Sequence, residues 1–173
     1  MDVQDTINYA FLEGALLETW QLQDNALQLS NPLSAELSVM RTSLLPGLVS
    51  TLTANAARQQ SRLRLFEIGR VFSLQDDAAP NERLCLAAVL CGTALPEQWA
   101  AASMPVDFYD TKAVLDAALA RIGLKADYQQ AAKPYLHPGR SALVSVAGVE
   151  VGVIGALHPG LNKALDLPGD VYA

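Results

Sequence analysis

The spacing of apolar and polar positions changes several times along this chain, and each change marks an element. From Asp5 to Leu12 the pattern alternates, with Ile7, Tyr9 and Phe11 on one face and Thr6, Asn8 and Ala10 on the other, which predicts a strand. Glu13 to Trp20 fits a short helix and Ala26 to Ser30 a short strand. Asn31-Pro32-Leu33-Ser34 is turn chemistry, because Pro fixes φ while Asn and Ser bond locally to the backbone. A helix follows. Ser43 is placed to cap it, Pro46 sits in its first turn, where a missing N–H costs little, and Leu45, Leu48, Val49 and Leu52 form one apolar stripe. Polar residues from Asn55 to Gln60 let it end.

From Arg62 to Phe72 the period becomes two. Leu63, Leu65, Glu67 and Val71 share one face, and Arg64, Phe66, Ile68 and Arg70 the other. Apolar residues on both faces predict an interior strand. A carboxylate there needs a cationic or hydrogen-bonded partner, and Arg62, Arg64 and Arg70 are the candidates for Glu67. Gln75 to Glu82 reads as an exposed turn, and Leu84 to Cys91, a continuous apolar run, as a central strand. After a loop from Gly92 to Pro105 containing Trp99, Asp107 caps a helix with Asp110 in its first turn. Phe108, Leu115, Ala118, Leu119 and Ile122 are expected on its buried side, and Arg121 and Gly123 at its close. Asp127 to Ala131 suits a strand. Ser141 to Val146 and Val149 to Leu157 suit a hairpin turned at Ala147-Gly148, Pro159 opens a short helix, and Val171-Tyr172-Ala173 starts a further strand. The expected fold is α+β, a mainly antiparallel sheet with helices on one side. It forms one domain over residues 1–173 that stops, as if cut, inside its last strand.

Composition adjusts this picture. The chain is 51% hydrophobic with mean hydropathy +0.19, high for a soluble domain, yet no run nears the roughly 20 apolar residues of a membrane span. The start, Met1-Asp2-Val3-Gln4-Asp5, lacks the basic and apolar regions of a signal peptide. The apolar excess is better explained by surface that a partner covers. A net charge of -6 argues against a free-standing nucleic-acid binder. Arg58, Arg62, Arg64 and Arg70 do cluster, and they fit either a partly solvated helix end beside an ion-paired strand or a phosphate site. Cys85 and Cys91, six residues apart on one predicted strand, stand roughly 20 Å apart, too far for a disulfide. Reduced, buried cysteines suggest a cytoplasmic location.

Candidate chemistry is sparse. His137 and His158 each precede Pro-Gly, without the further ligands a metal site needs, so a turn or packing role is expected. Gly152 and Gly155 on a strand indicate close backbone approach or a bulge. No phosphate loop, nucleophile elbow or dinucleotide fingerprint is present.

Several blocks carry a resemblance. Thr6-Ile7-Asn8-Tyr9-Ala10-Phe11, Met40-Arg41-Thr42-Ser43-Leu44-Leu45, Asn55 to Gln60, Phe66-Glu67-Ile68-Gly69, Val106 to Lys112, His137 to Ala142 and Gly152 to Pro159 are similar, in order, to the beta subunit of bacterial phenylalanyl-tRNA synthetase. They match its module that resembles a class II synthetase catalytic domain but does no catalysis. Catalytic members read roughly Gly-Arg-Val-aromatic-Arg-x-acid, the second Arg binding the α-phosphate of ATP. Here Gly69-Arg70-Val71-Phe72 opens that motif, but Ser73 replaces the Arg and Gln75 the acid. A hydroxyl cannot replace a bidentate guanidinium. The glycine-rich third motif with its Arg is also missing.

The resemblance implies a class II synthetase-like fold and a non-catalytic part of an enzyme that attaches phenylalanine to its tRNA with ATP and magnesium. It implies two alpha and two beta chains, with this module packed on the alpha catalytic module and tRNA contacted mainly through domains outside this segment. The family's magnesium ligands in the beta chain lie upstream. No catalytic, cofactor-binding or metal residue is therefore assigned, and neither ATP nor magnesium is expected on this segment. Two other readings stay open: an active class II ligase with an altered site, and a stand-alone module binding a small amino-acid-like ligand.

Overall fold

The protein is described here by a computed structural model covering residues 3–32, 34–74, 80–100 and 102–173. Among the described residues the strands are β1 (Gln4–Asp5), β2 (Phe11–Leu12), β3 (Val39–Met40), β4 (Leu63–Ser73), β5 (Asn81–Cys91), β6 (Ala126–Gln130), β7 (Leu136–Val146), β8 (Val149–Leu157) and β9 (Val171–Tyr172). The helices are α1 (Gly14–Thr19), α2 (Leu45–Ala56), α3 (Phe108–Arg121) and α4 (Pro159–Ala164), with one 3-10 turn at Ala35–Leu37. The main sheet runs β1-β4-β5-β9-β8-β7-β6, and β2 and β3 pair apart from it. Among the described residues only β1 and β4 run parallel; every other strand pair is antiparallel, as expected.

Helix α2 forms where the apolar stripe predicts, and Leu45, Leu48, Val49 and Leu52 are all buried. The Ser43 hydroxyl accepts from Leu45 N, although the N-cap position itself belongs to Leu44. The stripe packs on one sheet face, against Leu63, Leu65, Val71 and Val89. Helix α3 opens with the predicted capping box, Asp107 accepting from Asp110 N while the Asp110 carboxylate accepts from Asp107 N. It covers the opposite face, where Val114 and Phe108 meet Leu90, Ala156 and Tyr172. Helices therefore flank the sheet on both faces, not one. The strand periodicity already carried the reason: β4 and β5 alternate apolar residues to both sides, and each side needs its own cover.

The cover on the α3 face is partial. Leu115 and Leu119 pack on the core, but Ala118 is exposed and Ile122 is 69% exposed. On β4 and β5, Ile68, Leu84 and Leu86 are 61%, 65% and 60% exposed. The apolar run Leu84 to Cys91 is thus central by position and buried only toward its end.

The N-terminal segment departs most from the reading of the sequence. The alternation from Asp5 to Leu12 does not make one strand. Gln4 and Asp5 pair with β4, the chain then leaves the sheet, and Ile7 and Tyr9 are 95% and 75% exposed. Side chains described below capture Asn8 and the Asn8 and Tyr9 carbonyls, replacing a ladder. Ala26 to Ser30 makes only one bridge, Gln28 to Val39. The hairpin β7–β8 turns where expected, with Ala147 at φ 50° and Gly148 at φ 79°, the two positive values of a type I′ turn. Gly155 accounts for a close approach, since a Cβ there would sit 2.6 Å from the Arg140 carbonyl oxygen. Gly152 adjoins the register shift on β7 between Val144 and Ser145. Most of the predicted turn at Gln75 to Glu82, Gln75 included, lies outside the described residues, as does Leu33 of the earlier turn.

Candidate functional site

Glu67 sits mid-way along β4, 3% exposed, and is ion-paired as predicted, but with a different partner. Its Oε1 lies 2.6 Å from Nη1 of Arg41, itself 6% exposed. Arg41 follows β3 and reaches across to the main sheet. Its Nε donates to the Arg70 carbonyl at 2.8 Å, and its Nη1 also donates to the Asn8 and Tyr9 carbonyls at 3.4 and 3.5 Å. The other Glu67 oxygen accepts from Asn8 Nδ2 at 2.7 Å, and Asn8 Oδ1 accepts from the Thr51 hydroxyl of α2 at 2.7 Å. The cluster ties the N-terminal segment, β3, β4 and α2 together, and both buried charges are hydrogen-bonded, as burial requires.

Among the described residues the ion pair of Glu67 is made by Arg41, while two of the three arginines expected to serve it bond elsewhere. Arg70 is exposed and pairs with Glu82 at 2.9 Å across the β4–β5 hairpin. Arg64 donates to the Ala94 carbonyl at 2.6 Å. Arg62 directly precedes β4. Arg64 and Arg70 share a face but stand six residues, roughly 20 Å, apart along the strand, so they do not converge on one phosphate. Sequence reasoning missed Arg41 because it searched near Glu67. The usable signal was a lone cation, Arg41, inside the apolar stretch from Leu37 to Leu48.

Gly69, two residues beyond Glu67 on the same face, gives the guanidinium room. A Cβ there would lie 2.2 Å from Arg41 Nη2 and 3.1 Å from Glu67 Oε1. Gly69→Ala is expected to lower Tm by several degrees through this clash. A thermal melt that leaves Tm unchanged would show that the guanidinium moves aside freely.

At the far end of β4, Gly69-Arg70-Val71-Phe72-Ser73 leads into the hairpin. Ser73 is the last residue of the strand, opposite Asn81. The histidines take turn and capping roles: Nδ1 of His137 accepts from Gly139 N at 3.0 Å, and Nδ1 of His158 caps α4 by accepting from Gly160 N at 3.1 Å. Among the described residues, no group of three His, Cys, Asp or Glu side chains stands close enough to hold a metal ion. Cys85 and Cys91 are both free thiols on β5. A second polar cluster borders a cleft near the end of β5. There Arg140 donates to Asp170 at 2.6 Å and to the Tyr172 hydroxyl at 3.0 Å. The Asp170 carboxylate holds the Arg140 guanidinium more firmly protonated, and burial pushes the Tyr172 phenol up.

The buried cluster joins Asn8, Arg41, Glu67 and Gly69, which come from three of the blocks that carry the resemblance. The family model described as the phenylalanyl tRNA synthetase beta chain CLM domain matches residues 1–173. The chain belongs to this family. It is 52% identical over 174 residues to a phenylalanine–tRNA ligase beta subunit of Xanthomonas oryzae pv. oryzae, covering 99% of this chain and 22% of that protein. It is 51% identical to the beta subunit of Xanthomonas campestris pv. campestris and 48% identical to that of Xylella fastidiosa, with the same coverage. It spans about a fifth of the length of these relatives. In this beta-chain module, the buried Arg41–Glu67 pair ties β3 and the N-terminal segment to β4.

Proposed function

We propose that this module is a structural part of the beta subunit of a phenylalanine–tRNA ligase, packed against the alpha catalytic subunit in an assembly of two alpha and two beta chains. The family match over the whole chain carries the reading. The ligase joins phenylalanine to its tRNA using ATP and magnesium, and it works in the cytoplasm. Among the described residues no helix is long and apolar enough to cross a membrane. The module has the class II synthetase-like fold and is one unit of a longer polypeptide. Its tRNA contacts are made mainly by the other units.

Within the assembly the module does no chemistry and holds neither ATP nor magnesium. Ser73, at the end of β4, offers a neutral hydroxyl where catalytic relatives of the fold place an arginine for the α-phosphate. The purified chain is expected to give no phenylalanine-dependent exchange of pyrophosphate into ATP above a denatured control. Exchange above that level would favour the altered-ligase reading. Co-expression with an alpha subunit and pull-down tests the structural role: the two chains should co-purify in equal amounts. Failure to co-purify, together with a melting shift on adding phenylalanine or a similar small ligand, would favour the small-ligand module instead.

A further inference from the structure

We draw no further inference here: the strongest candidate, the cleft at the end of β5 where Arg140, Asp170 and Tyr172 meet, has its guanidinium already bonded to the Asp170 carboxylate and the Tyr172 hydroxyl, and nothing in the structure shows what would bind there.

Discussion

Glu67→Ala is expected to destabilise the fold by about 3–5 kcal/mol, because it leaves the Arg41 guanidinium buried without its counter-charge. At about 2–4 °C per kcal/mol for a chain of this size, Tm should fall by roughly 6–20 °C. The loss goes beyond one ion pair. Asn8 gives its side-chain amide to the same carboxylate, so the N-terminal segment loosens along with the guanidinium. Arg41→Ala should cost about as much, since it strands the carboxylate and frees the carbonyls of Asn8, Tyr9 and Arg70. Replacing both charges together, as Arg41→Met with Glu67→Met, should cost clearly less than the sum of the two single changes. An apolar pair leaves no charge buried, and residues in contact do not add. Denaturant melts of the four proteins decide it. Additivity within about 0.5 kcal/mol would mean that the pair is not energetically coupled.

Purified alone, the chain is expected to self-associate as its concentration rises, and an alpha subunit is expected to suppress this by binding. Ile68 lies directly opposite Leu86 in the β4–β5 register, and Leu84 is the next residue along on the same face. All three are more than half exposed, where α3 leaves the sheet uncovered. A permanent subunit contact buries on the order of 2,000 Å² or more around an apolar centre, and these residues are suited to be part of one. Ile68→Asp with Leu86→Asp should keep Tm within a few degrees, because both side chains already face solvent. The variant should remain monomeric in sedimentation and lose capture by the alpha subunit at least tenfold. If the unmodified chain stays monomeric over a wide concentration range and never binds an alpha subunit, this surface is not the interface and the structural role fails with it.

The exposure of these residues shows where the sequence could and could not be read. Apolar alternation on β4 and β5 correctly indicated interior strands with two apolar faces. It could not say which stretch a helix would reach. Helix α3 crosses toward β6–β8, so Leu90 is fully buried while Leu86, four residues earlier on the same strand and face, is not. The N-terminal segment fails for a related reason. Ile7, Tyr9 and Phe11 alternate as a strand should, but the Glu67 carboxylate, which accepts from Asn8 N, and the Arg41 guanidinium, which donates to the Asn8 and Tyr9 carbonyls, offer the backbone another set of partners. Those partners are distant in sequence, and period-two reasoning has no access to them.

The sequence alone determined what depends on near neighbours. It gave the stripe of α2, the capping box of α3, the turn at Ala147-Gly148 and the turn roles of the histidines, because each is decided within a few residues. It also determined that Glu67 must be paired, since the cost of a buried carboxylate does not depend on where its partner lies in the chain. Only the tertiary structure decided that the partner is Arg41 and that helices cover both faces of the sheet. Each of these depends on which strands become neighbours, and strand order is set by packing over the whole chain. No local period encodes it.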